Sequence, residues 1–331
     1  MLRSRRIQGR ARWAGIALLL AAGASPAAEF RVSFAPNVTP GPFTGRLYVM
    51  TSQGGGREPR FGPNWFRPQP FFAVDVKDLK PGTPVVVGSN AIGFPAPIPE
   101  LPTGRYSVQA VLDLNLGGRD FSNSPGNGYS SVQTVDLGPL TAPVELTIDK
   151  VVVERPFQDS ARTKLFEMKS ELVSKFAGRE VKLRGAVVLP KSFATSPDKK
   201  YPILYEIPGF GGRHFGARES RSEIGGVEFL YVQLDPDCSL GHHVFADSAN
   251  NGPYGEALTK EFIPALEAKF RAIGAAGARF VTGHSSGGWS SLWLQVAYPD
   301  VFGGVWSTAP DPVDFRDFQR INLYASHANM F

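Results

Sequence analysis

A short glycine-rich stretch separates a strand pattern from a helix pattern near the end of the chain. Residues 283–287 read Gly-His-Ser-Ser-Gly, with the apolar run RFVTG before them and a helical spacing of apolar residues after them. A serine at such a turn needs small neighbours, because the chain passes close beside it and its hydroxyl must stand clear of the sheet. We therefore predict that Ser285 is a catalytic nucleophile. A glycine-rich turn without chemistry is the alternative.

A second glycine-rich stretch offers what a serine nucleophile needs. Residues 208–212 read Pro-Gly-Phe-Gly-Gly and follow the apolar run PILYEI. Glycines let backbone N–H groups turn toward a bound carbonyl oxygen, which becomes negatively charged during attack. We predict that the N–H groups of Phe210 and Ser286 form this oxyanion hole. A turn that binds nothing is the alternative.

Residues 156–331 alternate between strand and helix patterns, which predicts an α/β domain with a mostly parallel sheet. The apolar runs at 202–207, 228–234, 278–283 and 302–308 predict strands, and 254–273 and 288–299 carry helical spacing. The segments 165–176 and 180–190 are predicted to form an antiparallel pair before them.

Residues 29–155 show a different pattern, with seven short β-branched and aromatic runs between turn residues. This pattern predicts an all-β, sandwich-like domain with an accessory role. Two long loops rich in glycine and proline, 51–70 and 115–131, interrupt it. Such loops either bind a ligand or only cover a sheet edge.

Residues 1–28 are typical of a secretory signal peptide. They hold five arginines followed by a 12-residue apolar run, which is shorter than the roughly 20 residues that span a bilayer. These five arginines account for the whole formal net charge of +5, so the rest of the chain has as many acidic as basic residues. Such a balanced charge indicates neither nucleic acid nor an anionic membrane as a partner. We predict export to the periplasm or outside the cell. The start SRRIQ resembles a twin-arginine signal except at Gln8, so the export route stays open.

Three polar residues follow predicted strands at the same edge of the sheet. We predict that His214, His243 and Asp247 form the rim of a substrate pocket; ordinary polar loops are the alternative. The adjacent histidines at 242 and 243 point to opposite faces if the chain is extended, which makes a poor metal site. We expect no metal and no cofactor, and the single cysteine, Cys238, cannot form an intrachain disulfide.

Three stretches together resemble the "putative esterase" family of α/β-hydrolases, whose relatives include esterase D, enterochelin esterases, feruloyl esterases and mycolyltransferases. They are YPILYEIPGFGG at 201–212, FADSANNGPYGEALTKEFIPALEAKF at 245–270 and VTGHSSGGWSSLWLQVAYPDVFGGVWSTAP at 281–310. The resemblance implies an α/β-hydrolase domain and a serine esterase that acts on a small-molecule or glycan-linked carboxylic ester. From the balanced charge outside residues 1–28 and the short apolar run within them, we expect no nucleic-acid partner and no stable membrane span.

The resemblance also implies a catalytic acid and then a histidine after the serine. Only 46 residues follow Ser285, and His327 is the only histidine among them. Asp311 is a candidate acid. We expect that the chain lacks the triad acid and histidine and that the C-terminal part of the α/β-hydrolase domain is missing.

Two other functions stay open. One is an acyltransferase of the mycolyltransferase kind, which passes the acyl group to an alcohol or sugar instead of water. The other is a non-catalytic protein that binds carbohydrate or a surface and keeps a relic hydrolase domain.

Overall fold

The computed structural model describes residues 28–54, 56–63, 66–138, 141–318 and 320–325. The predicted signal peptide, apart from Ala28, and His327 lie outside these residues. Within them, no helix combines the length and apolar character needed to cross a membrane.

The first half of the described chain is built from β-strands. Seven strands coincide with the predicted runs, and two more, β5 and β7, have only three residues, too few to show an alternating pattern. The strands are β1 Phe30–Phe34, β2 Phe43–Ser52, β3 Phe71–Leu79, β4 Val85–Val87, β5 Ile92–Phe94, β6 Gly104–Leu112, β7 Gly128–Ser130, β8 Gln133–Leu137 and β9 Val144–Val151.

These nine strands form one hydrogen-bonded path that folds back on itself. The order is β4-β1-β9-β7-β6-β2-β3-β5, and β8 also pairs with β6. Phe30 of β1 and Phe72 of β3 are far apart along this path, yet their ring centroids lie 6.3 Å apart. Both rings are fully buried in one apolar cluster. The β-rich region therefore has two facing layers with a shared core, and its accessory role stays a prediction.

The second half contains a six-stranded mixed sheet. Its strands are β10 Thr163–Lys169, β11 Lys182–Val188, β12 Ile203–Ile207, β13 Leu230–Leu234, β14 Arg279–His284 and β15 Gly304–Thr308. The order is β10-β11-β13-β12-β14-β15. The pairs from β13 to β15 are parallel and those from β10 to β13 are antiparallel. The carboxyl ends of β12, β14 and β15 consequently meet at one edge, which carries the two glycine-rich stretches.

Helices and small hairpins connect these strands. The helices are α1 Glu171–Ala177, α2 Tyr254–Glu256, a π-helical turn Ala257–Phe262, α3 Ile263–Lys269 and α4 Ser286–Ala297. The 3-10 turns are Pro59–Phe61, Ile98–Glu100, Lys191–Phe193, His214–Gly216, Glu219–Ser222 and Ala276–Ala278. The two-residue hairpin strands are Glu223–Ile224 with Val227–Glu228, Asp237–Cys238 with Gly241–His242, and Asp247–Ser248 with Gly252–Pro253.

The segment 165–176 differs from its prediction as one continuous strand. Strand β10 ends at Lys169 and α1 begins at Glu171. The side chain of Ser170 accepts the N–H of Val173 at 3.1 Å, which is an N-cap that favours a helix start over strand continuation. Gly178, with φ 65°, ends the helix in the left-handed conformation.

Candidate active site

Ser285 occupies the turn between β14 and α4. Its backbone has φ 57° and ψ −126°, a conformation that residues with a side chain rarely adopt. Its N–H donates to the carbonyl oxygen of Thr308 at 3.1 Å, which ties the turn to the end of β15. Local strain of this kind is often kept where a side chain must be presented for function.

Two glycines make this turn possible. A β-carbon on Gly287 would lie 1.9 Å from the carbonyl oxygen of Ile207, and one on Gly283 would lie 2.1 Å from the carbonyl oxygen of Gly287. Both distances are far below van der Waals contact. Only glycine therefore lets α4 begin directly against the end of β12.

Residues 209–212 form a tight turn beside Ser285. The N–H of Gly212 donates to the carbonyl oxygen of Gly209 at 2.9 Å, and Gly211 has φ 88°, as the third position of a type II turn requires. A β-carbon on Gly209 would lie 3.3 Å from the β-carbon of Ser285. The turn and the serine are therefore direct neighbours at the same edge of the sheet.

The N–H groups of Phe210 and Ser286 lie at this edge. Within the described parts of the chain, no acceptor bonds the N–H of Phe210. Ser286 is the first residue of α4, and the first N–H groups of a helix have no partner inside it. Both groups are available to a ligand oxygen, and their assignment as an oxyanion hole stays a prediction.

Asp311 contacts both serine hydroxyls of the turn. The Oγ of Ser285 donates to Oδ1 at 3.4 Å, and the Oγ of Ser286 donates to Oδ2 at 2.7 Å. The first hydrogen bond is long and therefore weak. A carboxylate is also a weaker base than an imidazole. Asp311 thus orients the hydroxyl of Ser285 more than it activates it.

No histidine among the described residues hydrogen-bonds to Ser285. The described histidines are His214, His242, His243 and His284. The first three are buried among partners of their own, and His284 is exposed. An imidazole base for Ser285 is therefore not found in this part of the chain.

His214 lies in a buried cluster with charged neighbours, and its place at a pocket rim stays a prediction. Its Nδ1 is 2.7 Å from Oδ2 of Asp235, and Arg213 donates to the same oxygen at 2.8 Å. Burial alone would raise the pKa of Asp235, but the hydrogen bonds from His214 and Arg213 lower it below its ordinary value. The ring of His214 stacks on Phe157 at 5.6 Å. These contacts occupy the side chain with structural partners.

His243 is buried against aromatic rings. Its ring stacks on Tyr254 with centroids 3.6 Å apart, and it meets Phe245 edge-on at 4.5 Å. Burial lowers the pKa of His243 to about 3, so the ring is neutral at physiological pH. Together with Tyr254 it lines a cavity of about 340 Å³ between the two halves of the chain. A substrate-rim role for His243 stays a prediction.

Asp247 caps a helix. Its Oδ1 accepts the N–H groups of Gly255 at 2.9 Å and Glu256 at 3.0 Å, in the first turn of α2. Its Oδ2 accepts the hydroxyl of Tyr298. Both carboxylate oxygens thus have structural partners, and a substrate-rim role for the exposed Asp247 stays a prediction.

Two residues for which sequence reasoning gave no role support the 209–212 turn. His242 donates from Nε2 to the carbonyl oxygen of Pro208 at 2.9 Å. Arg119, from the β-rich region, donates to the carbonyl oxygen of Gly211 at 2.6 Å. In the sequence, His242 belongs to the histidine pair 242–243 and Arg119 to the glycine-rich loop 115–131. Neither pattern shows which carbonyl oxygen these side chains contact.

A strained serine turn at the carboxyl edge of a sheet with parallel central strands is the arrangement typical of α/β-hydrolases. Residues 174–316 match the model of the family described as "putative esterase". The resemblance predicted from the sequence is thereby confirmed for this part of the chain.

Solved structures with a partial likeness include a ferulic acid esterase with 24% identity, covering 44% of this chain and 60% of that protein, at a TM-score of 0.36. An S-formylglutathione hydrolase from Agrobacterium tumefaciens has 19% identity, with coverages of 46% and 61% and a TM-score of 0.36. A ferulic acid esterase from Anaeromyces mucronatus has 18% identity, with coverages of 47% and 63% and a TM-score of 0.33. The matched part of the chain thus spans about three fifths of these proteins. A comparison with curated proteins found no match.

Proposed function

We propose that the protein is a carboxylic ester hydrolase with Ser285 as its nucleophile. The observation that carries this proposal is the strained backbone of Ser285, with φ 57°, directly beside the turn that holds the free N–H of Phe210. The steric need for Gly283 and Gly287 supports it, because a β-carbon at either position would collide with backbone atoms and displace that turn.

In the proposed reaction, Oγ of Ser285 forms a bond to the ester carbonyl carbon and gives its proton to a base. The carbonyl oxygen becomes an oxyanion, which the N–H groups of Phe210 and Ser286 stabilise. The bond to the alcohol then breaks, and the alcohol leaves with a proton. Water attacks the acyl-enzyme, releases the acid and restores the serine hydroxyl.

The described residues include only a weak base for the hydroxyl of Ser285. Among the described residues, Asp311 is the only side chain bonded to the hydroxyl of Ser285. Serine hydrolases that lose triad members keep only about 10³- to 10⁴-fold catalysis over water. We therefore propose that the described residues alone support only slow ester turnover.

Ester turnover tests the function. Wild-type protein is compared with Ser285→Ala and with Ser220→Ala, a control at an exposed serine, using p-nitrophenyl acetate. The proposal expects turnover above buffer that Ser285→Ala abolishes and Ser220→Ala retains. Equal turnover by wild type and Ser285→Ala would remove Ser285 as the nucleophile.

The same assay separates the alternatives. An acyltransferase would transfer the acyl group to an added alcohol or sugar faster than to water. A non-catalytic binding protein would bind polysaccharide equally well with and without the Ser285 hydroxyl, and neither form would turn over ester. The substrate that we propose is a small-molecule or glycan-linked ester.

A further inference from the structure

A loop of the β-rich region is held rigidly by its own side chains. This loop, residues 113–127, joins β6 to β7 and is called the Arg119 loop below. Oδ1 of Asn127 accepts the N–H groups of Leu114 at 2.8 Å and Asn115 at 2.6 Å. Oδ1 of Asn115 accepts the N–H of Gly117 at 2.9 Å. The side-chain amides of Asn115 and Asn127 therefore fix the loop backbone through hydrogen bonds.

The same loop is anchored to the strands beneath it. The ring of Phe121 lies 4.4 Å from that of Tyr48 and 5.9 Å from that of Phe71. The buried Arg60 donates to Oδ1 of Asn123 at 2.6 Å. These contacts connect the loop to β2, β3 and the 3-10 turn Pro59–Phe61, so its tip is presented in a defined position.

Arg119, near the tip of this loop, reaches the 209–212 turn. Its Nη2 donates to the carbonyl oxygen of Gly211 at 2.6 Å, and its Nη1 donates to that of Gly241 at 3.3 Å. Nη1 also lies 3.3 Å from Oδ1 of Asp237, and only 19% of the Arg119 side chain is exposed. The guanidinium lies 5.8 Å from the ring centroid of Phe210. One side chain thus joins the Arg119 loop to the 209–212 turn and to the hairpin of Asp237–Cys238 and Gly241–His242.

Arg119 and His242, which bonds the carbonyl oxygen of Pro208 at 2.9 Å, hold this turn from outside. The ring of Phe210 is 56% exposed, and the following two residues are glycines, whose peptide planes rotate at low cost. Arg119 fixes the Gly211 carbonyl, and the internal hydrogen bond of the turn then fixes the peptide that carries the N–H of Phe210. Asp237 lies beside the guanidinium and balances its charge. Arg119 therefore acts on the orientation of the turn and not through its charge.

We propose that Arg119 is a positioning residue for the oxyanion hole, and that the β-rich region therefore completes the active site through the Arg119 loop. This inference rests on the proposed function. An oxyanion hole stabilises the transition state only when its donors are already oriented. Removal of Arg119 is therefore expected to lower kcat and to leave KM nearly unchanged, because the substrate ground state does not use the oxyanion hole.

The test compares four forms of the protein: wild type, Arg119→Ala, Arg119→Lys and Arg46→Ala. Arg46 is the matched control because it forms an exposed ion pair with Asp75 at 2.7 Å in the same region. The measurements are kcat and KM for p-nitrophenyl acetate, the midpoint of urea unfolding, and kcat of Arg119→Ala with millimolar guanidinium chloride, far below denaturing concentrations.

The inference expects Arg119→Ala to lose roughly tenfold to a hundredfold in kcat, with partial recovery in Arg119→Lys and on addition of guanidinium. Arg46→Ala should match wild type. An unchanged kcat in Arg119→Ala overturns the inference, and so does a loss of activity that only follows the unfolded fraction and that neither lysine nor guanidinium restores. A Ser285→Ala variant run in parallel separates the two claims: if it stays active, the proposed function fails; if it alone is inactive, only the role of Arg119 fails.

Discussion

His242 donates a hydrogen bond from Nε2 to the carbonyl oxygen of Pro208 at 2.9 Å, while its Nδ1 accepts the N–H of Val244 at 3.0 Å. Because Nδ1 accepts, the proton of the neutral ring must lie on Nε2. Burial lowers the pKa of His242, which keeps the ring in this neutral form. Pro208, the residue before the 209–212 turn, is thus tied to the hairpin of Asp237–Cys238 and Gly241–His242.

The first prediction concerns this tie. His242→Ala leaves the Pro208 carbonyl and the Val244 N–H without a partner, so we expect a loss of about 1–3 kcal/mol in the free energy of unfolding together with a lower kcat. Urea unfolding and ester turnover measure the two effects. His284→Ala, at an exposed histidine of the same edge, serves as the control for unfolding. Wild-type stability in His242→Ala would show that the hydrogen bond contributes nothing.

The second prediction concerns pH. Burial lowers the pKa of His243 from 6.5 to about 3, so below pH 6.5 the unfolded chain binds a proton that the folded chain does not. Stability should therefore fall as the pH drops below about 6.5, by about 2 kcal/mol near pH 5. Urea unfolding at several pH values measures this slope.

A variant isolates the contribution of His243 to that slope. His243→Phe keeps an aromatic ring against Tyr254 but cannot be protonated, so it should flatten the pH dependence between pH 6.5 and 5. His284→Ala should leave the slope as in wild type. If His243→Phe keeps the full wild-type slope, another group is responsible for it.

The third prediction concerns the glycine behind the serine. Gly287→Ala would place a β-carbon 1.9 Å from the carbonyl oxygen of Ile207, which forces α4 away from β12 and moves Ser285. We expect loss of ester turnover and a destabilisation of at least about 1–3 kcal/mol. Gly277→Ala is the matched control, since a β-carbon there meets no atom within 4 Å. Equal effects of the two substitutions would contradict the close approach.

The fourth prediction concerns export. The arginines and the apolar run of residues 1–28 predict cleavage after Ala27 or Ala28. N-terminal sequencing of protein recovered from the periplasm or medium should begin at Ala28 or Glu29. Recovery of an intact leader from exported protein would be evidence against a cleaved signal peptide.

The sequence predicted those features whose cause lies within a few neighbouring residues. The turn at Ser285 was predictable because a strand, two glycines and a helix are contiguous there. The helix α1 was not predicted, since its apolar spacing is ambiguous and the Ser170 cap that decides it is a single side-chain hydrogen bond. Asp247 was predicted only as part of a pocket rim, because its capping of α2 depends on a chain reversal that the sequence does not show.

The contact between Arg119 and Gly211 lies beyond sequence reasoning for a different reason. The two residues are 92 positions apart and belong to different cores. The pattern of glycines and polar residues in 115–131 predicted a long loop, but the direction of that loop depends on how the two halves pack together. Nothing in the sequence distinguishes Arg119 from the other arginines as the one that makes this contact.

The central claim is that Ser285 is a nucleophile beside a formed oxyanion hole, and covalent labelling tests it most directly. The protein is treated with an alkyl fluorophosphonate, which loses fluoride and leaves a phosphonyl group on an activated serine. Peptide mass spectrometry then locates the adduct. The account predicts one adduct per chain on the peptide that contains Ser285 and none in Ser285→Ala. Labelling at another residue, or equal labelling of wild type and Ser285→Ala, would contradict it.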